Sequence, residues 1–153
     1  MCRQTVVELD VNGSAPYYQV YRSCVEKCTL LHFTDTVLPV NSKVETECCE
    51  TNDCNNRTII LPPKDNTTNG KACETCYEQN VTDCQKAVKL PCTGKETGCI
   101  EFRGMVDLGQ GKTAYTVAKG CSNLESCDPR PDFPRELVPE AQKITCTKAP
   151  PSE

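Results

Sequence analysis

The chain has 153 residues, 14 of them cysteine, about one in eleven, a density that marks a disulfide scaffold rather than an ordinary globular domain. With 37% hydrophobic residues, many of them those cysteines, no Trp and three Phe, it lacks the material for a large oily core, so cross-links must supply much of its stability. A formal charge of −4 without a basic stripe excludes a nucleic-acid partner, and apolar runs as short as Ile59-Ile60-Leu61 exclude a membrane-spanning helix.

The opening MCRQTVVELD has neither a charged n-region nor an apolar h-region, and the expectation is that an N-terminal piece is absent. From Cys2 to Cys24, Asn12-Gly13 sits midway between two β-rich runs; Asn-Gly supplies the positive φ angles of a type I′ turn, which predicts a hairpin. Cys28 follows, then LLHFTD with the single histidine, His32. No nucleophile motif accompanies that histidine, so it reads as an ordinary strand or loop residue. The string CCETNDCN closes this part with Cys48, Cys49 and Cys54; Asp53 and Asn55 within it read as turn framework. Residues 55–72 carry Pro62-Pro63 and the turn-rich NTTNG, which is linker chemistry.

Cys73 and Cys76 form the one CxxC. A redox role would need a βαβ context, and zinc would need a second CxxC or paired histidines; neither is present, so the motif reads as structural and no metal or other cofactor is expected. Cys84 and Cys92 come next. Between Cys99 and Cys121, Ile100, Phe102, Val106 and Leu108 alternate with Glu101, Arg103 and Asp107, and Gly109-Gln110-Gly111 follows: a second hairpin with a looser tip. After Cys127, prolines 129, 131, 134 and 139 forbid a central strand or a long helix before Cys146, predicting an extended loop with at most one helical turn. Sequons at Asn12, Asn56, Asn66 and Asn80 suit a secreted glycoprotein.

The cysteines repeat. Cys2 and Cys24 enclose 21 residues, as do Cys99 and Cys121; each pair is followed by one more cysteine, Cys28 or Cys127, and then by a long gap to Cys48 or Cys146. Each copy shows what the other lacks: Cys49 and Cys54 at the end of the first, Cys73, Cys76, Cys84 and Cys92 at the start of the second. Superposed, they define a ten-cysteine unit that opens with CxxC and closes with CC-x4-C and Asn.

This unit resembles the Ly-6/urokinase-receptor family of three-finger domains over nearly the whole chain outside the linker. The second copy, ending ITCTKAPPSE, is most similar to gamma-type phospholipase A2 inhibitors and to amphibian sodefrin-precursor-like factors. The resemblance implies a small, disulfide-rich, all-β protein of tandem three-finger domains, the first incomplete. Residues 1–54 would form a truncated domain with fingers two and three, 55–72 the linker, and 73–153 the second domain. It also implies the pairings Cys28–Cys48, Cys49–Cys54, Cys73–Cys99, Cys76–Cys84, Cys92–Cys121 and Cys127–Cys146. Cys2 and Cys24 are left either unpaired or bridged to each other, and an exposed leftover thiol would favour homo-oligomers.

Function then falls on loops and sheet faces presented by a cystine hub. Because aromatic side chains and Met are enriched in interface cores, the candidate contact residues are Val7, Leu9, Tyr17, Tyr18 and Tyr21 in the first copy and Phe102, Met105 and Tyr115 in the second; the alternative for each is that it packs the sheet against the hub. By resemblance the expectation is a secreted, non-enzymatic binding protein of the phospholipase A2 inhibitor type. The alternatives are a secreted signalling or pheromone factor of the sodefrin-precursor-like type, or an adhesion or receptor module.

Overall fold

The computed structural model describes residues 1–11, 13–28, 30–125 and 143–153. Among these residues nine strands and one 3-10 turn follow one another: β1 Cys2–Val11, β2 Tyr17–Cys24, β3 Leu31–Val37, β4 Val40–Cys49, the turn Cys54–Asn56, β5 Thr68–Gln79, β6 Val88–Thr93, β7 Gly98–Gly109, β8 Lys112–Ser122 and β9 Lys143–Lys148. Runs such as TVVELDV and TAYTVAKG are rich in β-branched and aromatic residues, which fit a pleated, half-buried surface.

All strand pairings are antiparallel, and they join into one sheet in the order β2-β1-β4-β3-β8-β5-β6, with β7 on β8 and β9 on β7. The seam between the two sequence copies is the short β3–β8 pairing, Asp35↔Ser122 and Thr36↔Cys121. Gly120 makes this approach possible: a Cβ there would lie 2.0 Å from the Thr36 carbonyl oxygen. The Asn123 side-chain oxygen accepts the Thr34 N–H at 3.1 Å, and the Thr34 carbonyl accepts the Asn123 N–H at 3.1 Å.

The first hairpin pairs Leu9 with Tyr17 through Cys2 with Cys24, and Gly13 takes φ +69° in its turn. In the second the tip is tight rather than loose. Gly109 pairs with Lys112 across a two-residue loop in which Gln110 and Gly111 have φ +54° and +72°, the double positive φ of a type I′ turn. Pairing of β5 begins at Thr68, so the strand takes in the last part of the segment read as linker.

Five disulfides join described residues: Cys28–Cys48, Cys49–Cys54, Cys73–Cys99, Cys76–Cys84 and Cys92–Cys121. Cys127 and the proline-rich stretch up to residue 142 lie outside the described residues, and with them the expected Cys127–Cys146 bridge. Around the bridges of the second copy, Cys73, Cys92 and Cys121 pack with Ala149 into a small buried cluster. Asn55 ties the closing turn back to the first strand, its side-chain N–H donating to the Arg3 carbonyl at 3.3 Å, while the Arg22 Nε–H donates to the Asn55 carbonyl at 2.8 Å.

Candidate binding groove

In an antiparallel sheet directly paired residues share a face, so the register assigns every side chain to one side. One row runs Leu9, Ser42, Asp35, Ser122, Gly98 across five strands, and a parallel row on the same face runs Gln79 to Thr116 to Gly104. Tyr77, Ala118, Phe102 and Ile144 form another. This face therefore collects Val7, Leu9 and Val11 from β1, Val40 and Val44 from β4, Val37 from β3, and Tyr77, Ile100, Phe102, Val106, Ala118 and Ile144 from the second copy. Together with Gln19, Asp35 and Ser42 they line a groove of about 410 Å³. Its floor is an apolar cluster of Val7, Val37, Val44, Ile100 and Ala118, each less than 10% exposed. The rim is open: Val11 and Tyr77 are 46% and 41% exposed.

The opposite face is covered in part by the segment between the two copies. Leu61 to Asp65 cross it, and Lys64 Nζ donates to the Asn41 side-chain oxygen at 2.6 Å and to the Thr36 hydroxyl, which in turn donates to the buried Glu96 at 3.0 Å. Burial raises the Glu96 carboxyl above its ordinary range, against the opposing pull of Lys64 and Thr36. A cationic chain also runs along this side in the second copy: Lys119 lies 3.3 Å from Asp83, and Arg103 bridges Asp83 at 3.0 Å and contacts Glu101. Backbone and side-chain hydrogen bonds, led by the Cys84 N–H, hold the Asp83 carboxyl below its usual range.

The structure thus separates the eight candidate contact residues. Val7, Leu9 and Phe102 line the groove; Tyr17 and Tyr21 stand on the same face of β2, Tyr21 packed partly buried against the floor and hydrogen-bonded to Gln19 at 2.8 Å. Tyr18 faces the other way beside Glu8, in the cleft covered by Thr58 to Leu61, and its phenol is raised above its ordinary range by the hydrogen bond to Glu8. Met105 and Tyr115 pair with each other on the opposite face of β7–β8, 45% and 39% exposed. Asn56, Asn66 and Asn80 are exposed, as sugar attachment requires; Asn12 lies outside the described residues, and His32 falls within β3.

Sequence reasoning missed Asp35, Val37, Tyr77 and Ile144. Asp35 is the most consequential. It sits in TDTV on β3, and the β3–β8 seam carries it onto the groove floor, where Ser42 donates a hydrogen bond to it and part of its surface still opens to the groove. Burial pushes its pKa up to about 7, with Ser42 opposing and Glu96 adding to the rise.

Among the described residues two sulfur clusters are compact enough to suggest a metal: Cys73, Cys92 and Cys121, and Cys76 and Cys84 with Glu78. Their sulfurs are spent in disulfides, so none offers the thiolate that ligation requires. Cys2 and Cys24 are free thiols facing each other across β1 and β2; desolvation, then the contact with Cys24, raises the Cys2 thiol above its ordinary range.

Protein RoBo-1 of Rattus norvegicus is 33% identical over 112 residues, 70% of this chain and 44% of that protein, so the chain spans less than half the length of this relative. The crystal structure of mouse TEX101 covers 99% of this chain and 82% of its own at 20% identity and a TM-score of 0.38, a likeness too distant to carry an argument. The u-PAR/Ly-6 domain matches twice, at residues 1–57 and 69–149, one span for each cysteine copy, and the chain belongs to the u-PAR/Ly-6 domain family.

Proposed function

We propose that the chain is a secreted, non-enzymatic binding protein that sequesters a protein partner on the groove face, in the manner of a phospholipase A2 inhibitor. The observation that carries this reading is the groove: apolar side chains from both copies meet on one face, with Tyr77 and Val11 exposed at its rim. An apolar, partly open depression flanked by Tyr17 and Tyr21 has the make-up of an interface core. Occluding the lipid-facing surface of an enzyme needs such a surface and no covalent chemistry. Cross-linked β-strands supply it pre-formed, which lowers the ordering cost of binding.

The test is a panel of secreted phospholipases A2 incubated with the purified, oxidised chain. A stoichiometric complex that abolishes lipid hydrolysis, and is lost in Phe102→Asp, supports the reading. Full activity at saturating chain removes the phospholipase target. If Phe102→Asp inhibits as well as the parent, the groove is not the contact face.

A further inference from the structure

Among the described residues that line the groove there is one carboxyl and no lysine or arginine. Asp35 lies in the row Leu9, Ser42, Asp35, Ser122, so its neighbours across the strands are an aliphatic side chain and two serines. The nearby cations stand on the other side of the sheet with partners of their own: Lys43 lies 3.2 Å from Glu8, Lys119 3.3 Å from Asp83, and Lys64 2.6 Å from Asn41. A carboxyl placed among Val7, Val37, Val44 and Ile100 is a cost to the fold whenever it is ionised, and such costs concentrate where a protein binds or reacts.

We infer that the partner seats an apolar surface in the groove together with one cationic group, an ammonium or guanidinium that pairs with the Asp35 carboxylate. This rests on the sequestration reading and adds the chemistry of what is sequestered. Seating the apolar part excludes water, and the pair then forms in a medium where an unpaired charge is costly, so it selects for partners that bring the cation. It also couples binding to pH. No titrating side chain faces Asp35 from β1, β4 or β8, where its row neighbours are Leu9, Ser42 and Ser122; Lys64 and Glu96 act on it through the sheet from the other face. Since Asp35 titrates at about 7, a cation finds the carboxylate above that pH and a neutral acid below it.

The experiment uses the full oxidised chain, with decylammonium, decanol and decanoate as matched probes, followed by NMR shifts of the Val7, Val37 and Ile100 methyl groups. At pH 8 decylammonium is expected to bind about ten-fold tighter than decanol, with decanoate weakest, a ratio in keeping with one desolvated ion pair. In Asp35→Asn the two should bind alike, and at pH 5 the parent chain should lose its preference. Equal binding of decylammonium and decanol to the parent at pH 8, or a preference that survives in Asp35→Asn, overturns the charge pairing and leaves the apolar groove standing. If none of the three probes moves the groove methyls, the groove itself fails, and the sequestration reading with it.

Discussion

Asp35 shows how one side chain can set a stability profile. Its carboxyl is held at about 7 in the fold against 3.8 as an isolated group, so folding favours the protonated acid. That advantage is complete below about pH 4 and is lost as pH rises through about 7. The linkage is worth at most about 4 kcal/mol, and the residual opening to the groove reduces this to roughly 1–3 kcal/mol. Asp35→Asn should therefore leave the melting temperature near that of the parent at pH 4 and raise it by several degrees at pH 8; a larger gain at the acid end would contradict the assignment.

Cys2 and Cys24 allow a second prediction at this scale. The Val25 N–H donates to the Met1 carbonyl at 3.0 Å, which makes Cys2↔Cys24 a non-hydrogen-bonded pair, the site where antiparallel side chains come closest. Oxidised glutathione should take two hydrogens from this pair and join the sulfurs. The expected result is a loss of both free thiols and a peptide map linking Cys2 to Cys24, whereas a glutathione adduct that persists at either position would count against it.

Among elements, β3 and β8 join the two copies through two paired residues each. Gly120 faces the Thr36 carbonyl, and any side chain there must push the strands apart. Gly120→Ala should cost about 1–3 kcal/mol in chemical denaturation, within the range for overpacking. Gly111→Ala, where a Cβ meets nothing within 4 Å, should cost less and act only through its φ of +72°.

These strands also show what can be read from a sequence. Cysteine spacing and hairpin turns are local, so the two copies, the Asn12-Gly13 and Gly109-Gly111 hairpins and the all-β class were legible. Which face a strand presents is a different matter, because it depends on register with a partner remote in sequence. Phe102 and Met105 look alike as exposed hydrophobics of one finger, yet their odd spacing puts them on opposite faces. Asp35 and Thr36 look interchangeable until the seam sends one to the groove and the other to Lys64 and Glu96.

At the scale of the whole molecule, cross-links are unevenly shared. Residues 1–54 contain two of the described disulfides and two free thiols, while 73–125 contain three disulfides. Each bridge contributes roughly 2–4 kcal/mol by restricting the unfolded chain. Limited proteolysis is therefore expected to cut within residues 1–54 before the second copy, and earlier cleavage in 73–125 would reverse that ranking.

None of the five described disulfides crosses the seam, and the exposed stretch around Asn66 and Thr67 is the main-chain thread between the two walls of the groove. A single cut there would leave each wall with its own staples but convert their meeting into an encounter between two molecules, whose strength falls with concentration. The two walls would then part on dilution alone, with every disulfide and every groove side chain intact.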